Sequence, residues 1–282
     1  NRIKPCHYSY ECVSRIFLNG QMICASDVGL GKKEKEHSIQ HLAIIGAGPA
    51  GLELAIQAAK RKIPVSLYEK ESFIGGNLIG AAIIYEPYEK LLNYYQESIA
   101  NEFIDLHLNS EIDLNKLSNQ FKDNQTVVLS SGALLGPSKI NATNIQTWLN
   151  PFIQSSKGKI QLIKSSIKET KIGNCAIIGT DTIQLHLASF LNSIGIKVSL
   201  VKNTDDIGGS MPVVLRWKVL DDINNQVPII SETEYLQREF DIALDTNFLA
   251  RKNLSSTNVI GDSKHGLAYL PQTAQDAIGF FK

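Results

Sequence analysis

The chain has 282 residues, which is enough for one large domain or two modest domains with hydrophobic cores of their own. Its 28 basic residues (Lys and Arg) are balanced by 28 acidic residues (Asp and Glu), which argues against a nucleic-acid partner or an electrostatic membrane anchor. No apolar run is long enough to span a membrane, and no secretory core precedes residue 40. Because four cysteines do not make a disulfide framework in a chain of this length, we expect a cytoplasmic protein.

The predicted elements begin with an irregular, cysteine-containing arm and linker over residues 1–40. Strands and helices then alternate, with a helix over 52–60 in the first unit and a second strand-helix-strand unit from Cys175. Trp217 lies in a predicted helix and is interpreted as core, and a closing helix is predicted over 270–281. Alternation at this spacing predicts an α/β fold of parallel sheets with crossover helices, built as two Rossmann-like units.

A glycine-rich segment joins the first strand to the first helix. Gly46, Gly48 and Gly51 fit the pattern G-x-G-x-x-G in the context that this motif requires. Gly46 allows a tight turn, Gly48 lets the backbone approach a pyrophosphate, and Gly51 lets the helix pack on the strand. Pro49 and Ala50 lie between the second and third glycines, just before the helix, whose N-terminal N–H groups and partial positive charge favour phosphates.

An acid, Glu69, ends the second strand of this unit. Its carboxylate can accept hydrogen bonds from ribose hydroxyls and would repel a 2′-phosphate, which disfavours NADP here. The sequence therefore predicts a bound nucleotide containing ADP with a free 2′-hydroxyl. A retained but empty fold is the alternative interpretation.

The segments GAGPAGLELA, VSLYEK and IGGNL together resemble the FAD- or ADP-binding half of the trimethylamine dehydrogenase and 2,4-dienoyl-CoA reductase family. In these iron-sulfur flavoproteins an FMN-bearing TIM barrel precedes a cluster arm and two nucleotide-binding domains. The resemblance covers nearly the whole chain from Cys6, but the barrel is absent. Because the chain starts at Asn1, about where the barrel would end, we expect a C-terminal piece or a separate subunit. The implied partners are an FMN-bearing barrel, in the same precursor or in another subunit, and an electron-transfer protein.

The resemblance also implies cofactor contacts beyond the fingerprint. They come from the segments that match the family's EK…GG-x-L, Ala-Thr-Gly-Ala and returning Gly-Asp, and they are Lys70, Gly76, Asn77, Leu78, Gly132, Gly261 and Asp262. Simple turns are the alternative interpretation of Gly75-Gly76 and of Gly261-Asp262. The implied FAD- or ADP-binding domain comprises residues 41–136 and 253–282, with a second NAD(P)-binding-like domain inserted over 137–252.

The three cysteines of the arm follow the spacing of an iron-sulfur motif. Cys6, Cys12 and Cys24 match the first, third and fourth positions of the Cys-x2-Cys-x2-Cys-x11-Cys motif that binds a [4Fe–4S] cluster in the trimethylamine dehydrogenase branch. Ser9 stands at the second position. Because four thiolates are the normal ligand set, loss of the cluster is favoured. A three-iron cluster, a four-iron cluster with an unusual ligand, and a zinc site that includes His7 stay open.

The second unit repeats the topology of the first but not its chemistry. Gly179 is kept, whereas Asp181 and Gln184 stand where the second and third glycines would be. Asp181 would crowd and repel a pyrophosphate, Gln184 would push the helix from the strand, and the second strand ends near Lys202 without an acid. NAD(P)H binding is therefore disfavoured, as in the trimethylamine dehydrogenase branch. A structural use of Asp181 would be as a helix N-cap.

The function predicted from these features is the FAD- or ADP-binding electron-transfer portion of a flavin-dependent oxidoreductase. The cofactor would carry the redox chemistry, and the sequence assigns no catalytic acid or base. The alternative is a non-catalytic nucleotide-binding or docking module that retains ADP or no ligand. The changes at Ser9, Asp181 and Gln184 favour this alternative. A stand-alone NAD(H) oxidoreductase that uses the first site is the weakest candidate.

Overall fold

The structure is a computed structural model that describes residues 3–26, 38–116, 120–122, 124–138, 140–223, 226–250, 258–265, 276–277 and 280. The strands, numbered in chain order, are β1 Leu42–Ile45, β2 Val65–Tyr68, β3 Ile104–His107, β4 Thr126–Leu129, β5 Leu134–Leu135, β6 Thr143–Asn144, β7 Asn174–Ile178, β8 Lys197–Val201, β9 Ile229–Ile230, β10 Ile242–Asp245, β11 Phe248–Leu249 and β12 Asn258–Val259. The helices are α1 Glu11–Phe17, α2 Pro49–Lys60, α3 Asn77–Ile84, α4 Pro87–Ser98, α5 Ile145–Ser155, α6 Ile160–Lys168, α7 Thr182–Ser193, α8 Val213–Ile223, α9 Glu232–Leu236 and α10 Asp262–His265, with a 3-10 turn at Leu114–Lys116.

Two five-stranded parallel sheets organise these elements. The first has the order β12-β4-β1-β2-β3 and the second has the order β6-β10-β7-β8-β9. The short strands β5 and β11 pair antiparallel beside them. Every residue of β1 is buried, which explains its continuous apolar run, since a central parallel strand is covered on both faces. The predicted α/β class with two Rossmann-like parallel sheets is confirmed.

The first sheet is completed from both ends of the chain. Strand β12 pairs with β4, so that Val259 lies opposite Leu129, and the whole second sheet is formed by the chain between these two strands. The domain limits at residues 40, 136 and 252 stay predictions. Of the predicted closing helix over 270–281, residues 276, 277 and 280 are described and the rest lies outside the described residues.

One hydrophobic core joins the two sheets. Buried residues of β1 and β2, such as Leu42 and Leu67, belong to the same cluster as Ile177 of β7 and Leu200 of β8. Helix α3 provides the link, since it packs against α4 of the first unit and against α5, α6 and α7 of the second. The two units are therefore not separate globules.

The arm lies across both units. Ser14 of α1 accepts a hydrogen bond at its Oγ from the Val214 amide of α8, at 3.2 Å, and Phe17 packs edge-on against Trp217, with 6.0 Å between ring centroids. The interpretation of Trp217 as core is wrong, because the residue is 59% exposed and its ring packs against Phe17 of the arm. Among the described residues, no helix has both the length and the apolarity needed to cross a bilayer.

Candidate functional site

The turn between β1 and α2 has no room for side chains at its first and third glycines. Gly46 has φ +104°, and a Cβ there would lie 2.6 Å from the Ser130 carbonyl oxygen on the neighbouring strand. A Cβ at Gly51 would collide with the Gly46 carbonyl oxygen, because the first turn of α2 lies directly on the turn. The chain can therefore pass from strand to helix this tightly only with glycine at both positions.

The second glycine of the pattern faces open space. A Cβ at Gly48 would meet nothing within 4 Å, and the same holds for Gly132, which has φ +81° after β4. Gly76, with φ +50°, lies alongside, since a Cβ there would be 3.1 Å from the Gly48 Cα. Gly48 and Gly76, from two separate loops, thus border one cradle without side chains.

Helix α2 begins at this cradle with its N-terminal N–H groups uncapped by a side chain. Gly48 is the N-cap and provides no side-chain hydrogen bond, Pro49 is in the first turn, and that turn contains no acidic residue. The helix was predicted to begin at Leu52, but it begins at Pro49. Ala50 and Gly51 therefore belong to the first turn, where amide groups favour an anion.

Glu69 links the glycine turn to the end of β2 by hydrogen bonds. Its carboxylate is buried, accepting a hydrogen bond at Oε2 from the Ala47 amide at 2.8 Å and at Oε1 from the Glu71 amide at 3.0 Å. A carboxylate oxygen can accept more than one hydrogen bond, so these contacts leave capacity for a ribose hydroxyl. Lys70, also predicted to contact the cofactor, is not buried like Glu69. Its side chain is exposed, and its amine lies 3.6 Å from a Glu71 carboxylate oxygen.

The returning Gly-Asp segment meets the glycine loop. Asn77 donates from Nδ2 to Oδ2 of Asp262 at 3.0 Å, and the two residues are 185 positions apart in the chain. The Gly261 amide donates to Oδ2 of Asp276, at 3.0 Å, and Leu78 is buried in the core. The side chain next to Asp262, Ser263, donates to the Gly132 carbonyl at 3.1 Å. The fold therefore brings most of the predicted cofactor contacts together at the carboxyl ends of β1, β2, β4 and β12, where open α/β sheets bind ligands.

The three cysteines of the arm are not brought together in the same way. No three or more His, Cys, Asp or Glu side chains in the described ranges form a group that could hold a metal ion, and these ranges include Cys6, Cys12 and Cys24. Ser9 accepts at its Oγ from the Glu11 amide at 3.4 Å, and His7 shares a hydrogen bond of 2.9 Å with Ser26. The donor set present does not fit a four-thiolate cluster.

The second unit uses its two substituted positions differently from the expectation. Asp181 is the N-cap residue of α7 but makes no side-chain capping bond, because its Oδ1 accepts from the Ser210 hydroxyl at 2.6 Å. The predicted N-cap position is confirmed, but the side chain does not provide the capping hydrogen bond. The Gln184 side chain turns across Gly179 and donates to the Thr246 hydroxyl at 2.6 Å, and the expected displacement of the helix stays a prediction. Lys202 is paired with Asp205 at 2.8 Å on the surface.

Sequence analysis missed a buried ion pair that fastens the arm to α2. The Lys4 amine lies 2.7 Å from Oε2 of Glu53, which also accepts a hydrogen bond from the Tyr95 hydroxyl at 2.9 Å. Burial raises the pKa of Glu53, but Lys4, Gln57 and Tyr95 outweigh it and hold the pKa below its usual value. The available signal was an acid inside the apolar run Leu52-Glu53-Leu54, where a charge needs a partner.

The sequence and the fold are similar to those of known proteins. The sequence profile of the pyridine nucleotide-disulphide oxidoreductase family matches residues 40–241. The chain belongs to this family. Its relatives are oxidoreductases, and the predicted nucleotide-binding redox module of a flavin-dependent oxidoreductase is confirmed at this level.

One relative is the NADH oxidase of Thermoanaerobacter brockii, which is 23% identical over 238 residues, or 78% of this chain and 34% of that protein. Among solved structures, the fold is similar to histamine dehydrogenase from Rhizobium sp. 4-9, with a TM-score of 0.73, 14% identity, and coverage of 99% of this chain and 48% of that one. It is also similar to 6-hydroxypseudooxynicotine amine oxidase from Pseudomonas geniculata N1, with a TM-score of 0.73, 17% identity, and coverage of 98% and 48%. The chain thus spans a third to a half of the length of these proteins.

Proposed function

We propose that this chain is the FAD-binding, electron-transfer portion of a flavin-dependent oxidoreductase of the trimethylamine dehydrogenase type. The carrying observation is the cradle bordered by Gly48 and Gly76 at the uncapped N-terminus of α2. A pyrophosphate fits the chemistry of this cradle, because it needs close backbone approach, free N–H groups and no facing carboxylate.

Each predicted residue has a distinct task in this proposal. Gly48 and Gly76 let the backbone approach the pyrophosphate, the amides of Ala50 and Gly51 face its charge, and Glu69 accepts from the ribose of the adenosine. The Asn77–Asp262 pair would orient the ribityl or phosphate portion, since it lies where the last strand returns to the cradle. FAD supplies the redox chemistry when bound, and these side chains bind and orient it.

The branch assignment rests on the arm and on the second unit. The cysteine spacing around Ser9 follows the trimethylamine dehydrogenase motif, and Asp181 and Gln184 replace glycines that a nicotinamide dinucleotide would need. An iron-sulfur cluster and NAD(P)H binding are therefore both disfavoured. Location in the cytoplasm, the absence of a nucleic-acid partner and the absence of membrane attachment stay predictions from composition.

An FMN-bearing barrel is the proposed partner, in the same precursor or as another subunit. The arm and the adjoining Trp217 of α8 expose an apolar surface. It includes Ile16, Phe17, Leu18, Met22 and Trp217, which are 58–69% exposed. Exposed apolar clusters of this kind mark interaction sites. This chain matches 48% of each of the two solved structures, so each contains about as many further residues. A barrel formed by such additional residues would cover this surface. A further electron-transfer protein is expected to accept the electrons.

The second candidate is a non-catalytic module that keeps ADP or no ligand. The incomplete cysteine set and the substituted second unit favour it, because both are losses of cofactor chemistry. ADP would use the same cradle as FAD, and only FAD carries an isoalloxazine ring. The identity of the bound molecule therefore separates the two candidates.

The test is to denature the purified chain and identify the released molecule by mass spectrometry, for the native sequence and for Gly48→Asp. We expect FAD from the native chain and at least a ten-fold loss from the variant, since a carboxylate would repel the pyrophosphate in the open space at Gly48. Asn101→Asp adds the same charge to the same unit, away from the cradle, and should retain FAD. Release of ADP would favour the non-catalytic module, and unchanged FAD in folded Gly48→Asp would place the nucleotide elsewhere.

A further inference from the structure

The second unit repeats much of the backbone of the first over its nucleotide-binding loops, although Gly209 lacks the positive φ that Gly76 has. Gly179 has φ +107° where Gly46 has +104°, and each donates its amide to the neighbouring strand at 2.8 Å. A second glycine loop, Ile207-Gly208-Gly209, follows β8 as Ile74-Gly75-Gly76 follows β2. The Gly208 amide donates to the Thr180 carbonyl at 2.7 Å, and Gly75 donates to Ala47 at 2.8 Å. Much of the backbone of a dinucleotide cradle is therefore present in the second unit.

The two cradles differ at the position of the second glycine of the motif. Asp181 stands where Gly48 stands in the first unit, with the same extended backbone: φ −107° and ψ −169° against φ −80° and ψ −176°. In the first unit the space beyond this position is open. In the second unit the Asp181 carboxylate extends from it and accepts two hydrogen bonds at Oδ1, from the Ser210 hydroxyl at 2.6 Å and the Ser210 amide at 3.2 Å.

Both donors to this carboxylate belong to Ser210, and neither is an N-terminal amide of α7. Ser210 follows Gly208-Gly209, as Asn77 follows Gly75-Gly76, so its amide lies at the mouth of the cradle. Backbone amides of glycine loops and helix N-termini favour anions, and a carboxylate satisfies them as a phosphate does. The Asp206 carboxylate lies against Gly209 and is paired with Arg216 at 2.9 Å, which keeps a second negative charge nearby.

We propose that the second cradle binds its own Asp181 carboxylate in the position of a dinucleotide pyrophosphate and is closed to dinucleotides for this reason. Gln184 completes the closure by turning across Gly179 to Thr246. The consequence for function rests on the proposed flavin site: no nicotinamide in the second unit supplies hydride to that flavin, so the reductant is bound elsewhere.

The test opens the cradle and measures binding of ADP-ribose by isothermal titration calorimetry. Every protein carries Gly48→Asp, so that binding cannot come from the first site and the result does not depend on whether that site holds FAD. We expect no saturable binding to the parent at concentrations up to about 1 mM ADP-ribose. Asp181→Gly should bind ADP-ribose with a dissociation constant at least about ten-fold below that concentration. The double variant with Gln184→Gly should bind more tightly still.

Asp181→Asn is the matched control, because it keeps the size of the side chain and removes its charge. If occupancy closes the cradle, Asn should leave it closed. Should Asp181→Gly fail to fold, Asp181→Ala removes the carboxylate with a smaller change in backbone freedom. A folded Gly or Ala variant that gains no binding would overturn the proposal, and so would a parent that binds ADP-ribose as tightly as the variant.

A second readout follows the closure itself. With Asp181 present, the Ser210 amide should exchange its proton slowly, since the carboxylate accepts its hydrogen bond. Asp181→Gly should increase that exchange rate by at least about ten-fold, and ADP-ribose should slow it again. An amide that exchanges at the same rate in both proteins would show that Asp181 does not occupy the cradle.

Discussion

At the scale of single residues, a buried charged pair joins two residues that are far apart in the chain. The Lys4–Glu53 pair is the main case, with side chains only 12% and 5% exposed. Lys4 also lies over the Tyr95 ring, 5.2 Å from its centroid. Because a buried carboxylate without its cation costs much more than an exposed one, this pair fixes the start of the arm on α2.

Lys4→Met tests this pair. We expect a loss of about 3–5 kcal/mol in the free energy of unfolding, because Glu53 would stay buried without its cation. The double variant with Glu53→Gln should recover much of that loss, since no buried charge is left. Urea unfolding measures both, with exposed Lys90→Met as a control expected within about 0.5 kcal/mol of the native chain. A loss below about 1 kcal/mol for Lys4→Met would contradict a tight buried pair.

At the scale of elements, the turn between β1 and α2 is set by backbone contacts. A Cβ at Gly51 would collide with the Gly46 carbonyl, and Ser130 supports the turn by donating from Oγ to the same carbonyl at 2.8 Å. Helix α2 ends by a local signal as well, since Lys62 takes φ +58° just after Arg61. Both ends of the helix therefore follow from residues next to it in the sequence.

Gly51→Ala should separate this contact from the general effect of alanine in a helix. We expect it to destabilise the chain by about 1–3 kcal/mol through overpacking and to reduce bound nucleotide. Gly80→Ala in α3 is the matched control, because a Cβ there would lie 3.7 Å from Leu149, an ordinary contact, and alanine favours the helix by up to about 1 kcal/mol. Thermal unfolding of both variants, with nucleotide content measured beside it, checks the prediction. Equal behaviour of the two variants would refute it.

At the scale of the whole molecule, a run of aromatic rings joins the arm and the two units. His7 stacks on Tyr88 at 5.3 Å, Tyr88 meets Tyr85 at 5.4 Å, and Tyr85 meets His186 of α7 at 4.5 Å. The Tyr85 hydroxyl donates to the Tyr8 carbonyl of the arm at 2.8 Å. Two buried histidines thus lie at the junction on which the arrangement of the molecule depends.

Acid should weaken this junction. Burial, with a smaller effect from Lys4, lowers the pKa of His7 to about 4, and burial, with Lys218, does the same for His186. Each histidine has a lower pKa in the folded chain than in the unfolded chain, so between these two values the unfolded chain binds the proton more readily. The free energy of unfolding therefore decreases as the pH falls from about 6.5 towards 4.

Urea unfolding at pH 7.5 and pH 5 measures this loss. His7→Gln and His186→Gln should each make the free energy of unfolding less dependent on pH, because each removes a buried group that protonates on unfolding. Asn101→Gln, a change at an exposed side chain that carries no titratable group, should leave the pH dependence as it is. A pH dependence that neither buried variant reduces would assign the acid sensitivity to other groups.

The sequence by itself determined the parallel α/β class, the fingerprint turn and the pair of related units. These features depend on periodicity and on the dihedral angles of adjacent residues, which a short stretch of sequence specifies. The second glycine loop at 207–209 is also a repeat of 74–76 at the level of the sequence.

Only the tertiary structure decided which polar side chains meet. It joined Asn77 to Asp262, Lys4 to Glu53 and Asp181 to Ser210, and it left Trp217 on the surface beside Phe17. The physical reason is that a polar side chain takes whatever donor or acceptor the sheet order brings beside it. The separation of two residues in the sequence does not specify the order of strands in a sheet. Adjacent residues, in contrast, specify the glycine turn and the helix that follows it.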